Sequence, residues 1–91
     1  MLYLVSYDIV KDKQRTKLAK KLLDFGIRVQ YSVFECDLDN KRLKEMLAQI
    51  KHFVDKKTDS LRIYKICDSC SKQIKSLGIK TGWLEEEDVT I

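Results

Sequence analysis

The feature that most constrains the fold is a change of hydrophobic parity inside one β-rich run, "IRVQYSVFECDL", at residues 27–38. Apolar side chains first occupy odd positions, beginning at Ile27, and then even positions, beginning at Phe34. Because a slip of one residue moves every side chain of a strand to the other face, one regular strand cannot keep this pattern on a single face. The run therefore predicts two tightly joined strands, or one strand with a strong bulge, near residues 30–33.

The segments on either side of this run predict alternating strands and helices. Residues 2–9 and 60–67 are rich in β-forming residues and predict a first and a last strand. Apolar residues at helical spacing predict helices at about 13–25 and 41–54. The expected boundary residues are Asp12 and Asp39 or Asn40 as N-terminal caps, and Gly26 as the stop of the first helix.

The order β-α-β-β-α-β predicts an α+β, ferredoxin-like fold, in which both helices cover one face of a four-stranded antiparallel sheet. We expect one domain over residues 1–78, followed by a short extra strand and an acidic tail over residues 79–91. A chain of 91 residues buries only a thin core. Tyrosine and valine side chains across the strands indicate that the second sheet face is also covered, which favours a homodimer.

Charge is distributed unevenly along the chain, whose net charge is +4. Residues 79–91 carry one lysine and four acidic residues, so residues 1–78 hold 17 of the 18 basic and 10 of the 14 acidic side chains, a net charge of +7. Such a basic body suits a nucleic acid, although solvated surface lysines give the same composition. No apolar run reaches the roughly 20 residues of a membrane span, and no signal peptide is recognised. We therefore expect a cytoplasmic protein without a membrane partner.

The three cysteines do not form the disulfide framework of a secreted protein. Cys67 and Cys70 form a lone C-x-x-C motif, whereas structural zinc and iron–sulfur sites need four ligands. The single histidine, His52, lies in a helical pattern and does not complete such a set. We expect reduced thiols near the end of a strand, with a disulfide between them as the alternative in a thermophilic source.

Asp8 is the one charged residue in the predicted first strand, residues 2–9. Its presence needs a reason, because carboxylates are poor strand formers and costly to bury without a partner. It can cap the following turn, pair with Arg15, or bind a hard metal ion. One carboxylate is a weak metal site, but a two-fold axis at the first strand brings two copies of Asp8 together. Such a pair suits Mg²⁺, which keeps several waters, takes phosphate oxygens as ligands and activates water at a scissile phosphate.

Two motifs stand in order over about residues 1–67: "YLVSYDI" before a helix with Arg15, and "RVQYSVFECDL" after Gly26. Together they resemble the motifs of CRISPR-associated protein 2, the small endoribonuclease family of spacer acquisition. The resemblance implies a ferredoxin-like homodimer in which the C-terminal segment packs on the partner's sheet. It also implies one Mg²⁺ or Mn²⁺ ion shared by the two copies of Asp8.

The resemblance also assigns site residues. The matching positions are Asp8 as metal ligand, Arg15 and Arg28 as phosphate contacts, and Tyr7 and Phe34 as further catalytic-site residues. Tyr7 and Phe34 are equally expected in the dimer core. The alternative role of each arginine is an ion pair with Asp8, Glu35 or Asp37.

Two functions follow from the resemblance. The first is a metal-dependent endonuclease of CRISPR spacer acquisition that hydrolyses single-stranded RNA, double-stranded DNA or both. The alternative is a non-catalytic dimeric scaffold that binds duplex DNA and bridges integrase dimers. A generic ferredoxin-like binding module is the third class, and the aromatic strand typical of an RNA-recognition motif is missing from the sequence.

Overall fold

A computed structural model describes residues 1–78 as an α+β fold with one antiparallel sheet. The elements are β1 (Leu2–Asp8), α1 (Asp12–Leu22), β2 (Ile27–Gln30), β3 (Val33–Asp37), α2 (Asn40–Ile50), β4 (Ser60–Ile66) and the short helix α3 (Asp68–Ser71). The strand order is β2-β3-β1-β4, and all neighbouring strands are antiparallel. The predicted α+β class and four-stranded antiparallel sheet are confirmed. The predicted extra strand and acidic tail, at residues 79–91, lie outside the described residues.

The parity change of the central run marks a boundary between two strands, as predicted. β2 and β3 are separate strands joined by a turn at residues 31–32, and the register between them shifts between Arg28 and Gln30. The chain thus combines a tight turn with an irregularity in β2. The two apolar sets lie on opposite faces of the sheet, since Ile27 pairs with Glu35 whereas Phe34 lies on the core side.

The core lies between one face of the sheet and the two longer helices. Val5 in β1 pairs with Phe34 in β3 and with Ile63 in β4, so these side chains share a face. The helices contribute Leu18, Ala19, Leu22, Met46 and Ile50 to the same buried cluster. The opposite face, which we call the open face, carries Leu4 and Ser6 of β1, and both remain partly exposed.

The helix starts differ in one respect from expectation. Asp39 caps α2, since its carboxylate accepts a hydrogen bond from the Arg42 backbone N–H at 2.8 Å, which confirms that prediction. The prediction that Asp12 caps α1 is wrong, because Lys11 is the cap residue and makes no side-chain cap bond. Asp12 is the first helical residue, and its carboxylate binds the guanidinium of Arg15 instead.

The helix ends also differ. α1 ends at Leu22, before the predicted limit, and α2 gives way to a 3₁₀ turn at Lys51–Phe53. Gly26 follows α1 at a point where the chain passes very close to β3: a Cβ atom at this position would lie 2.2 Å from the backbone oxygen of Glu35. Close packing, rather than helix termination by a left-handed residue, therefore requires glycine there. Within residues 1–78, no helix has the length and apolar character needed to cross a membrane.

Candidate functional site

Asp8 is the last residue of β1 and its side chain is exposed. Strand alternation places it on the open face with Leu4 and Ser6. Among residues 1–78 its carboxylate has no hydrogen bond or ion pair. Neither of its expected structural roles, capping the turn or pairing with Arg15, is therefore realised within the described part of the chain.

Arg15 contacts the residue that follows Asp8. Its guanidinium donates a hydrogen bond to the backbone oxygen of Ile9 at 2.9 Å, and it forms an ion pair with Asp12. Its side chain is partly exposed. Arg15 thus fixes the backbone directly after Asp8 and keeps part of its charge accessible at the same end of the sheet.

A second basic residue is fixed by the turn between β2 and β3. The Nε and one Nη of Arg28 donate hydrogen bonds to the backbone oxygen of Tyr31, at 2.9 and 2.6 Å. The Tyr7 hydroxyl donates to the same oxygen at 3.4 Å. One main-chain oxygen therefore anchors two of the side chains that the resemblance assigned to the site.

Phe34 and Tyr7 belong to the core of the single chain. Phe34 is 0% exposed and Tyr7 is 4% exposed, and their rings stack with centroids 6.3 Å apart. The guanidinium carbon of Arg28 lies 5.5 Å from the centre of the Phe34 ring, within the range of a cation–π contact. The Phe34 ring thus packs against the Arg28 guanidinium from the core side, and it is not accessible to a substrate in this chain.

Tyr31 is a surface residue that sequence analysis counted only as one apolar position of the parity pattern. Its side chain is 74% exposed, and its ring lies 5.2 Å from the Arg28 guanidinium carbon. An exposed tyrosine in the tight turn of a basic chain was the available signal. Because aromatic faces stack on nucleobases, this pairing with an arginine is a typical feature of single-stranded nucleic-acid sites.

Arg15, Arg28 and Tyr31 line one cleft of about 430 Å³ between α1 and the β2–β3 turn. The other lining residues are Asp12, Thr16, Ala19, Lys20 and Leu23. We call this the arginine cleft. The structure therefore brings together the two predicted phosphate contacts on the helix side of the sheet, whereas Asp8 lies at the same sheet end on the open face.

The donor set available for a divalent cation is small. No group of three or more His, Cys, Asp or Glu side chains is placed to hold a metal ion within residues 1–78. Mg²⁺ is commonly bound through one or two carboxylates, with waters and substrate phosphates as the other ligands. The exposed, unpaired Asp8 fits a site shared between two chains and does not fit a cage built by one chain.

Asp59, which sequence analysis did not single out, fixes the loop that follows Asp8. Its carboxylate accepts hydrogen bonds from the backbone N–H groups of Val10 at 2.9 Å and Asp55 at 2.8 Å. These two bonds lower the pKa of Asp59 below its ordinary value of 3.8, and the bond from Val10 has the larger effect. The residue joins the β1–α1 loop to the start of β4.

We expect Asp59→Ala to lower the thermal stability near neutral pH, and to lower it less in acid. Since the pKa of Asp59 is depressed in the folded chain, its contribution is present above the ordinary pKa of 3.8 and is lost as the pH falls through the folded value. Thermal unfolding of both proteins at about pH 7 and about pH 3 measures this. Asp24→Ala is the control, and an equal deficit at both pH values would contradict the role of the carboxylate charge.

The comparisons with known proteins cover most of the chain. The family model for CRISPR associated protein Cas2 matches residues 1–74. A relative from Chloroflexus aurantiacus, named CRISPR-associated endoribonuclease Cas2 1, is 44% identical over 79 residues, which are 86% of this chain and 85% of the relative. The match therefore includes Asp8, Arg15, Arg28 and the whole four-stranded sheet.

Solved structures agree with this assignment. The crystal structure of Streptococcus pyogenes Cas2 superimposes with a TM-score of 0.75 at 32% identity, covering 86% of this chain and 100% of that chain. A chain of a partial Cas6-RT-Cas1–Cas2 complex superimposes with a TM-score of 0.65 at 29% identity, covering 82% and 88% of the two chains. The sequence match and the shared fold together show that this chain belongs to the CRISPR-associated protein Cas2 family.

Proposed function

We propose that this chain acts as a metal-dependent endonuclease of CRISPR spacer acquisition, as a homodimer formed through the open sheet face. The observation that carries the proposal is the state of Asp8, a carboxylate at the end of β1 that is exposed and unpaired within residues 1–78. Carboxylates without a structural partner at a strand end are suited to cation binding. The relative named as an endoribonuclease supports the same activity.

Each residue of the proposed site has a separate task. Asp8 from each of two chains would hold a shared Mg²⁺ or Mn²⁺ ion, which would supply activation of water and neutralisation of charge at the scissile phosphate. Arg15 and Arg28 hold phosphate oxygens in the arginine cleft, because charge-assisted hydrogen bonds to phosphate are strong and directional. Phe34 and the Tyr31 backbone oxygen keep Arg28 in place.

Removal of divalent metal tests the activity. We expect cleavage of single-stranded RNA, duplex DNA or both in Mg²⁺, loss of cleavage when a chelator is present in excess, and recovery on addition of Mn²⁺. The assay follows end-labelled RNA and duplex DNA of the same sequence on a denaturing gel. Cleavage that continues unchanged in the chelator would contradict a metal-dependent mechanism.

The second candidate function is a scaffold that binds duplex DNA and an integrase without cleaving nucleic acid. It is favoured by the arginine cleft, which needs no metal to bind phosphate. The structural match to a chain of a complex that contains Cas1 also favours it. In this role Arg15, Arg28 and Lys20 matter for binding, whereas Asp8 does not.

Substitution of Tyr31 tests nucleic-acid binding by the arginine cleft, whichever of the two functions holds. We expect Tyr31→Ala to weaken binding of single-stranded RNA by about tenfold or more, because stacking of a base on an aromatic side chain contributes about 1–3 kcal/mol. Fluorescence anisotropy with a labelled oligonucleotide measures the change. The fold should be unaffected, since the Tyr31 ring is 74% exposed and the hydrogen bonds of the turn use its backbone oxygen.

Tyr31→Phe is the matched variant for this prediction. It retains the ring and should bind RNA like the unmodified chain. Leu77→Ala changes an exposed leucine outside the cleft and should not alter RNA binding. If Tyr31→Ala binds as tightly as Tyr31→Phe, base stacking at this position is not part of recognition.

A further inference from the structure

The cysteine pair at the end of β4 lies outside the proposed nucleic-acid site. Cys67 directly follows β4, and both Cys67 and Cys70 are exposed free thiols. Cys67 is the N-terminal cap of α3, and its sulfur accepts a hydrogen bond from the Cys70 backbone N–H at 3.4 Å. The same sulfur lies 3.2 Å from the hydroxyl oxygen of Ser69. Two thiols and one hydroxyl, those of Cys67, Cys70 and Ser69, thus lie together in one exposed turn.

The geometry of this turn suits a disulfide bond. A cap residue and the third residue of the helix that it caps lie within one helical turn, so their Cα atoms fall within the separation that a disulfide spans. The cap contact already directs the Cys67 sulfur toward Cys70. A bond between the two sulfur atoms therefore needs rotation of the side chains and no rearrangement of the sheet.

The two thiols differ in acidity for a structural reason. Hydrogen bonds from Ser69 and then from Cys70 lower the pKa of Cys67 to about 7. The pKa of Cys70 is raised, because its thiol donates toward the Cys67 sulfur. Burial, together with the neighbouring Glu35, raises the pKa of Cys36 to about 11. Since the thiolate is the nucleophile, Cys67 is the reactive thiol of the chain near neutral pH.

We propose that Cys67 and Cys70 form a reversible redox pair that exchanges with low-molecular-weight disulfides, with Cys67 as the attacking sulfur and Cys70 as the resolving sulfur. The Cys67 thiolate attacks a small disulfide, whose S–S bond breaks, and one small thiolate leaves. Cys70 then loses its proton and attacks the Cys67 sulfur, so that the mixed disulfide breaks and the second small thiolate leaves. The two cysteines lose two electrons, and the small disulfide is reduced to two thiols.

The position of the pair determines what oxidation changes. β4 is an edge strand that pairs only with β1 in the described sheet. Cys67 is the first residue after it, and α3 starts at the next residue. A Cys67–Cys70 bond fixes the first turn of α3 and hence the direction in which the chain leaves the sheet edge. This inference is independent of the proposed nuclease activity.

Glutathione disulfide tests the proposal on the full chain at about pH 7.5, with peptide mapping by mass spectrometry. We expect the unmodified protein to lose two hydrogen atoms, to form a bond between Cys67 and Cys70 within one chain, and to regain both hydrogens on treatment with dithiothreitol. Cys70→Ser should accumulate a glutathione adduct at Cys67. Cys67→Ser should form its adduct about tenfold or more slowly, because its remaining exposed thiol is less ionised.

The matched variant for the activating contact is Ser69→Ala. It removes the hydroxyl that lies 3.2 Å from the Cys67 sulfur and should slow adduct formation in the Cys70→Ser background. Equal adduct rates for Cys67→Ser and Cys70→Ser would overturn the proposed division of roles. A bond that forms only between chains, or no bond at all, would overturn the redox pair itself.

Discussion

We expect Asp8→Ala to reduce metal-dependent cleavage by about a thousandfold or more, because a divalent cation contributes several kcal/mol to stabilisation of the transition state. Binding of nucleic acid should be retained, since the arginine cleft does not include Asp8. The fold should also be retained. Asp8 is exposed and unpaired within the described residues, and surface substitutions of this kind change stability by about 0.5 kcal/mol or less.

Single-turnover cleavage, anisotropy and thermal unfolding of the same preparation measure these three expectations. Asp8→Asn keeps the shape of the side chain and should be as inactive as Asp8→Ala, because a neutral amide is a poor ligand for Mg²⁺. Asp24→Ala removes an exposed carboxylate at the other end of α1 and is the matched control.

The outcomes separate the two functions proposed above. Full cleavage by Asp8→Ala would contradict the metal mechanism. If instead neither the unmodified chain nor Asp8→Ala cleaves RNA or DNA, while both bind duplex DNA through the arginine cleft, the scaffold is the better description. Analytical ultracentrifugation decides the remaining premise, since a chain that stays monomeric at every concentration cannot pair its two copies of Asp8.

The second large effect is on stability. We expect Gly26→Ala to lower the free energy of unfolding by about 3 kcal/mol, at the upper end of the usual cost of overpacking. The added Cβ would lie 2.2 Å from the Glu35 backbone oxygen, 2.5 Å from the Cys36 sulfur and 2.9 Å from the Cys36 Cα. Two of these three atoms belong to the backbone of β3, so relief requires movement of the strand that carries Phe34.

Urea denaturation of Gly26→Ala beside the unmodified chain measures this loss. Gly78→Ala is the matched control. Among residues 1–78, a Cβ at Gly78 meets nothing within 4 Å, so within this part of the chain only its positive φ of 86° opposes alanine, at a cost of about 1 kcal/mol. If the two variants lose the same free energy of unfolding, the backbone around Gly26 moves away from β3 at little cost. Close packing would then not be the reason for glycine at this position.

The sequence is a good guide to this fold because its periodicities are strong. The odd-then-even pattern from Ile27 to Phe34 located the β2–β3 turn, and residue type alone narrowed the cap of α2 to Asp39 or Asn40, of which Asp39 is the cap. The short helix α3 was not predicted, since four polar and small residues carry no apolar periodicity. The reason for Gly26 was also missed, because proximity to β3 is a property of tertiary structure.

The candidate site was predictable only in its residue types. Asp8 was singled out by its place at the end of a strand, and the resemblance gave Arg15 and Arg28 their phosphate roles, but sequence spacing alone does not separate the open face from the arginine cleft. The partner of Arg15 is Asp12 rather than Asp8, because a residue three positions away on the same helix is nearer than a strand end. Tyr31 and Asp59 were missed, since their roles depend on where a turn and a loop meet the end of β1.

The Tyr31 backbone oxygen has a consequence for how such a chain diversifies. Because Arg28 and Tyr7 bind a main-chain atom, their hydrogen bonds do not require a particular side chain at position 31. That outward side chain is therefore interchangeable: a different ring, an amide or a cation can be installed there while the basic residue beside it stays fixed. Ligand preference can thus drift by single substitutions at one solvent-facing position, with the anchoring of the neighbouring strands left untouched.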